Sequence, residues 1–366
     1  MKYFILAGEK SGDLHGSHLI QEIRQLDPQA EIQAWGGDGM EAAGAEILIH
    51  HKELAIMGLL GVLQNLARLK KLFLLFGQHI QTFQPDTIIF IDYGGFNLKA
   101  ARIAKLKGFH TQFYIAPKVW AWNKGRIENI KKWIDELYVI FPFELKLFQE
   151  KGIHTHYVGN PLQDAVVNFK ANEDFLLKNS LNKPYIALLA GSRKQEIKSA
   201  MPVFNQLKME NPQWNFVVAG LREWKELYSN YSIPIVYDQT YDLLSHAEAA
   251  VVTSGTATLE TGLFKVPQIV VYKTDWLFYS LAKLLVKIKF ISLVNIILDK
   301  LAVPELIQVE FTSQHIQWRL KDLLNPNSLI RKQQNLDYEH LAELIGPAGA
   351  SKKTAQLIVG AAQSAK

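Results

Sequence analysis

A chain of 366 residues, 48% hydrophobic and 20% charged, carries enough apolar material for two cores and is not a disordered protein. It has no cysteine, which excludes disulfides, thiolate metal centres and a cysteine nucleophile. A net charge of +5 suits anionic partners without choosing among them; no basic run interleaved with aromatics argues for nucleic acid, and no uncharged apolar run reaches the roughly 18 residues of a membrane span.

In chain order, the first half alternates strands and helices. Tyr3–Ala7 reads as a strand, not a signal peptide, because Gly8-Glu9-Lys10 breaks it; this places the protein in the cytoplasm. A glycine loop over 8–13 leads to a helix over Leu14–Leu26. Further strands are expected at Ile32–Trp35, Thr87–Ile91, Thr111–Ile115 and Glu136–Ile140. A polar stretch, Asn168–Pro184, reads as a link. A second series follows at Tyr185–Leu189, Asn215–Ala219, Ile235–Tyr237, Ala249–Val252 and Gln268–Tyr272, and helices are expected from Thr312 onward. Repeated βα units predict parallel sheets covered on both faces, so the expected fold is α/β with two doubly wound domains over 1–165 and 166–311, followed by C-terminal helices over 312–366.

Two turns carry the chemical signal. Ser254-Gly255-Thr256-Ala257-Thr258-Leu259-Glu260 follows an apolar strand, and the bare N–H groups of the helix it opens, with the helix dipole, attract an anion. Ser254, Thr256 and Thr258 add hydroxyls, and Glu260 is placed to accept from a diol such as a ribose. Ordinary N-capping explains the same residues about equally well. Ala190-Gly191-Ser192-Arg193 ends another strand and offers a guanidinium that can fork onto phosphate oxygens. Two such turns in one half favour a nucleotide crevice.

Gly8, Gly12 and Gly16 do not have the dinucleotide spacing, and no P-loop lysine follows, which disfavours a Rossmann cofactor. With Gly36-Gly37 they suggest room for a substrate, with Ser11 or Asp13 capping the helix and Gly12 allowing a close ligand approach. Ile56–Phe76 has a wide apolar arc with Met57, Leu59, Leu63, Leu66 and Phe73 on its membrane-facing side and Lys70-Lys71 within it. Leu277–Ile291 fits a membrane surface or a packed helix equally. Trp120 and Trp122 are candidates for the acceptor site, although a tryptophan at a sheet edge more often serves packing. The eleven histidines show no metal spacing: His50-His51 lacks a third ligand nearby and His154-x-His156 reads as an isolated pair, so no metal is expected.

Ala7-Gly8-Glu9-Lys10-Ser11-Gly12-Asp13, Gly36-Gly37, Met57-Gly58, Val119-Trp120-Ala121-Trp122, Pro142-Phe143-Glu144, Val158-Gly159-Asn160-Pro161, Gly191-Ser192-Arg193 and the 254–260 segment together resemble the lipid-A-disaccharide synthase family. The resemblance implies a glycosyltransferase with two facing Rossmann-like domains of the GT-B type. It implies joining of UDP-2,3-diacylglucosamine to 2,3-diacylglucosamine 1-phosphate with inversion and release of UDP, without a metal or other cofactor. The implied partners are the acylated sugars, the cytoplasmic face of the inner membrane, and a second copy in a dimer with exchanged C-terminal helices; nucleic acid is not among them. The family's Ile-Asp-x-Pro-Asp-Phe-Asn pattern departs here: Ile91-Asp92-Tyr93-Gly94-Gly95-Phe96-Asn97 has Gly95 where the catalytic aspartate is expected. Asp92 matches the first aspartate and is the candidate base, with Asp13 second, while Asp92 as a mere loop brace is equally open. Asn295, in Ser292-Leu293-Val294-Asn295, matches a family position expected to contact UDP. A UDP-sugar 2-epimerase of the same architecture and a non-catalytic nucleotide- and lipid-binding protein are the alternatives.

Overall fold

The computed structural model describes residues 1–54, 66–119, 125–274 and 289–365. Its internal contacts divide the chain into two units, Met1–Pro161 with Ala348–Lys366, and Leu162–Pro347. Unit 1 holds strands β1 (Lys2–Ala7), β2 (Glu31–Gly36), β3 (Glu46–His50), β4 (Thr87–Ile91), β5 (Thr111–Tyr114), β6 (Glu136–Val139) and β7 (Thr155–Tyr157), in the order β3-β2-β1-β4-β5-β6-β7. Unit 2 holds β8 (Ile186–Leu189), β9 (Phe216–Gly220), β10 (Ile235–Tyr237), β11 (Ala249–Thr253), β12 (Gln268–Tyr272) and β13 (Glu305–Ile307), in the order β10-β9-β8-β11-β12-β13. Every pairing is parallel. Each sheet is therefore doubly wound, and the strand order reverses between β1 and β4 and between β8 and β11. All ten strands expected from the sequence form; β3, β7 and β13 are additional and lie at sheet edges, where three to five residues give little periodic signal.

Alternation along β1 shows why both faces must be covered. Phe4 and Leu6 point to one face and pack with Trp35, Phe76, Phe96 and Ile130. Tyr3, Ile5 and Ala7 point to the other and pack with Leu19, Ile20 and Ile23. The helix Lys10–Leu26 is joined on that second face by the last helix, Ala350–Ser364, through Ala355, Ile358 and Val359. The C-terminal helices thus do not form one group. Ser313–Leu324 packs through Ile316, Leu320 and Leu323 onto unit 2, while Ala350–Ser364 returns to unit 1 of its own chain.

Phe76 is fully buried, edge-on to both Phe4 and Trp35 at 5.7 Å between ring centroids. Phe76→Ala removes this contact from the middle of a core and should lower the unfolding free energy by about 3–5 kcal/mol, measured by urea denaturation of the whole chain.

Candidate functional site

In a doubly wound sheet, ligands bind at the carboxyl ends of the strands where the order reverses. In unit 2 that point lies between β8 and β11, whose register runs from Ala249 beside Ile186 to Val252 beside Leu189. The loops 190–193 and 254–255 therefore emerge side by side. Thr256–Leu263 is helical, and Gly255 and Thr256 are exposed. The first-turn N–H groups of that helix have no partner one turn back, so Gly255, Thr256 and Ala257 offer donors to an anion.

The other hydroxyls named from the sequence serve the protein itself. Ser254 donates to the Ile291 carbonyl at 2.8 Å. Thr258 is fully buried, donates to the Gly255 carbonyl at 2.8 Å and accepts from the Leu293 N–H at 3.2 Å. Asn295 is also fully buried. Its amide nitrogen donates to Val303 and Glu305 at 2.8 and 2.9 Å, and its oxygen accepts from the Ala302 and Val303 N–H groups at 2.8 and 2.9 Å. An asparagine with both ends engaged inside the protein cannot reach UDP, so the assignment of Asn295 to substrate is corrected to a clamp on the 299–305 loop.

The Ser192-Arg193 turn is shaped by Glu196. One carboxylate oxygen accepts from the Ser192 and Arg193 N–H groups at 3.0 and 3.1 Å, and the other from Arg193 Nη1 at 3.0 Å. Gly191 has φ +98, and a Cβ there would lie 2.5 Å from Glu196 Oε2, so this turn requires glycine. Glu196 thus occupies the Ser192 and Arg193 backbone N–H groups of this turn. Arg193 keeps most of its guanidinium outward, with its side chain 81% exposed.

Glu260 sits one turn into the 256–263 helix and is half-buried. It accepts from the Tyr241 hydroxyl at 2.8 Å, and Tyr241 packs edge-on against Phe169 and Phe264. Burial pushes the Glu260 carboxyl up, partly opposed by the Tyr241 hydrogen bond. Tyr241 was not singled out from the sequence; it belongs to another helix, and only the fold brings it to Glu260.

In unit 1 the reversal lies between β1 and β4. Asp92 and Tyr93, directly after β4, both adopt left-handed backbone, φ 46 and 49. Two consecutive non-glycine residues there are uncommon and mark a conformation imposed by the surroundings. Asn97 holds the chain at this point. This fully buried side chain donates to the Ile91 and Asp92 carbonyls at 3.1 and 2.8 Å. Burial raises the Asp92 carboxyl above its ordinary range, and the Lys118 ammonium opposes that rise. Gly95 is exposed, and among the described residues a Cβ there would meet Arg126 Nη2 at 4.0 Å.

Asp13 is placed differently from the second catalytic candidate expected. It is 7% exposed and accepts from the Gly37, Gly39 and Met40 N–H groups at 2.7, 3.0 and 3.1 Å. Its carboxylate braces the loop after β2. The helix starts at Lys10, not Leu14, so Ser11 and Gly12 lie in its first turn and neither Ser11 nor Asp13 caps it. The glycines make room for neighbouring side chains of the protein. A Cβ on Gly8 would strike the Tyr93 ring, one on Gly12 would lie 3.2 Å from Ala7 Cβ, and one on Gly16 would strike Met40. Ser11 stays exposed.

Trp120 and Trp122 lie outside the described residues, as do Met57, Leu59 and Leu63; the side chain of Leu66 is also outside them, as is most of Leu277–Ile291. Phe73 is half-buried and stacked on Phe96 at 4.5 Å, so it turns toward the core more than a membrane-facing residue would. Beside it runs a groove of about 780 Å³ lined by Leu69, Phe73, Leu74 and Ile103, with Lys70, Lys99 and Lys107 among its lining. Among the described residues no helix is long and apolar enough to cross a membrane. His154 and His156 are not an isolated pair, since Glu136 from the neighbouring strand joins them.

Asn295→Ala should lower stability by about 1–3 kcal/mol, through the buried groups it leaves unpaired, and leave UDP affinity of the folded protein unchanged; urea denaturation and UDP titration together check this.

The chain matches the family model described as lipid-A-disaccharide synthetase over residues 3–359. It is 33% identical to the lipid-A-disaccharide synthase of Coxiella burnetii (strain CbuG_Q212), over 97% of this chain and 96% of that protein. To the Geobacter sulfurreducens lipid-A-disaccharide synthase it is 31% identical over 98% and 96%. Among solved structures, the UDP-GlcNAc 2-epimerase of Neisseria meningitidis bound to UDP-GlcNAc aligns with a TM-score of 0.70 at 12% identity, covering 98% of this chain and 100% of that one. The glycotransferase of kitacinnamycin aligns with a TM-score of 0.62 at 12% identity, covering 98% of each. At that identity these structures share the fold alone, and the epimerase alternative gains nothing from them. The match along nearly the whole length of the family and of its curated members establishes that the chain belongs to the lipid-A-disaccharide synthase family.

Proposed function

We infer that the chain is a UDP-sugar-dependent glycosyltransferase of lipid A biosynthesis, joining UDP-2,3-diacylglucosamine to 2,3-diacylglucosamine 1-phosphate with inversion and releasing UDP. The observation that carries this reading is the family match over residues 3–359. In unit 2, the Gly255–Ala257 N–H groups and the outward guanidinium of Arg193 are suited to the pyrophosphate, and Glu260 to the ribose hydroxyls. The charge that develops on the departing diphosphate would be met by these fixed donors without a metal. In unit 1, Asp92 is the base. The acceptor hydroxyl oxygen bonds to the anomeric carbon, the bond from that carbon to the diphosphate oxygen breaks, and the hydroxyl proton passes to Asp92. Inversion follows from the single displacement. The Leu69–Ile103 groove with its lysines supports a role for unit 1 in meeting acyl chains and an anionic lipid surface, here the cytoplasmic face of the inner membrane. A homodimer belongs to the same reading through the family resemblance alone.

Arg193→Ala should raise the barrier for turnover by about 2–4 kcal/mol, read as the loss of kcat/KM with both acylated sugars present. An unchanged rate would remove Arg193 from leaving-group stabilisation. Asp92→Asn should cut kcat by about a hundredfold or more while UDP still binds. Because the deprotonated carboxyl is the active form and burial raises its pKa, kcat/KM of the unaltered chain should fall as pH drops through a value above the ordinary carboxylate range. That acid limb should be absent from the residual activity of Asp92→Asn.

A further inference from the structure

We propose that Glu136, His154 and His156 form a binding site for a divalent transition-metal cation of the Zn²⁺ type, at the amino-terminal edge of the unit 1 sheet. The carboxyl ends of β1 and β4 carry the candidate catalytic residues. This cluster lies at the other end of the strands, at the start of β6 and β7, and is independent of the transferase reading.

The sheet builds the cluster. In the parallel pairing of β6 with β7, Leu137 lies beside Thr155 and Tyr138 beside His156. One residue earlier the same register sets Glu136 beside His154. Side chains two apart on a strand share a face, so Glu136, His154 and His156 project together. The Tyr138 ring stacks on that of His156 at 5.5 Å and fixes its plane. Leu137 N–H donates to the His154 carbonyl at 3.0 Å, which holds His154 in line just before β7 begins.

The ligand atoms already converge. His154 Nδ1 and His156 Nε2 each lie 2.8 Å from Glu136 Oε2, and the three ligand atoms are all within 4.8 Å of one another. A tetrahedral Zn²⁺ with bonds of about 2.0–2.2 Å to nitrogen and oxygen requires its ligand atoms roughly 3.4 Å apart. To take the ion, each histidine nitrogen must move outward from Glu136 Oε2, from 2.8 Å to roughly 3.4 Å, and the two histidine nitrogens, which lie within 4.8 Å of each other, must settle at the same spacing, an adjustment that the exposed His154 side chain can make. Two imidazoles and one carboxylate suit Zn²⁺ and its first-row neighbours better than Mg²⁺ or Ca²⁺, which prefer all-oxygen shells. The graded exposure also fits. Glu136 is 16% and His156 28% exposed, whereas His154 is 68% exposed and leaves a path for entry and a fourth position for water.

The consequence is mechanical. β7 is an edge strand of three residues and, among the described residues, pairs with β6. An ion held by both strands ties that edge to the sheet, and because the ligands come together only in the folded chain, binding favours the folded state.

The test uses the whole chain, stripped with a chelator and dialysed. Zn²⁺ is titrated by calorimetry, and Co²⁺ is added in parallel to read visible d–d absorption. The expected result is saturable binding of one ion per chain, intense tetrahedral-type Co²⁺ bands, and a thermal midpoint that rises with Zn²⁺. Glu136→Gln and His154→Gln should each weaken Zn²⁺ binding by about tenfold or more and abolish the Co²⁺ bands, whereas His315→Gln, at an exposed histidine in unit 2, should change neither. His154 is exposed enough that its variant should fold even if Glu136→Gln does not, and the metal-free melting curves report this. Absence of saturable binding, or equal binding by the unaltered chain and the His154→Gln variant, would overturn the proposal and leave a plain histidine–carboxylate hydrogen-bonded cluster.

Discussion

The pairing of β8 with β11 is the constraint on which the anion-binding end of unit 2 depends. These strands are far apart in sequence, and each has a loop and a helix directly behind it. Parallel hydrogen bonding from Ala249–Ile186 to Val252–Leu189 sets both loops at one height on one edge. Shifting the register by a residue would exchange the Ala249/Val251 and Ala250/Val252 sets between two differently packed layers, so side-chain packing holds the alignment. Val251 faces the layer of Leu188 and Phe204, and Val252 that of Leu189 and Leu243. The chemistry at the loop ends inherits its precision from this packing.

Around that edge, most of the polar side chains support the backbone. Asn295, Ser254, Thr258 and Glu196 spend their hydrogen bonds on carbonyls and N–H groups of neighbouring loops. The reason is energetic. A loop folded against a sheet end buries backbone groups that have no ladder partner, and each unpaired group costs about 1–3 kcal/mol. Among the described residues at that edge, Ser192, Arg193, Gly255 and Thr256 are exposed, and Glu260 is half-buried. Unit 1 repeats the pattern. Asp13 and Asn97 hold loops, and Asp92 is the carboxyl left in a strained turn with a raised pKa.

The strand pattern was readable because both faces of each central strand are buried. Runs such as Ala249-Ala250-Val251-Val252 and Tyr185–Leu189 are continuous in apolar residues and end in glycine turns. Several of the motifs that carry the family resemblance lie at those turns, and the family match runs over residues 3–359. The short edge strands β3, β7 and β13 were not readable, since three to five residues carry no period. Nor was the division of the C-terminal helices, because their apolar faces look alike whichever unit they cover.

What the sequence determined by itself was the alternation of strand and helix, the two doubly wound sheets, the family, and the position of the turns that end the central strands. These depend on local pattern and composition, which adjacent residues encode. What only the tertiary structure decided was the use of each polar side chain at those turns. Asn295, Thr258 and Asp13 have the chemistry of ligand contacts but are surrounded by unpaired backbone, which claims them first. Glu136 meets His154 and His156 through strand order alone. Hydrogen bonds form with whatever the fold brings within about 3 Å, and that partner is set by strand adjacency across long stretches of chain, not by spacing in the sequence.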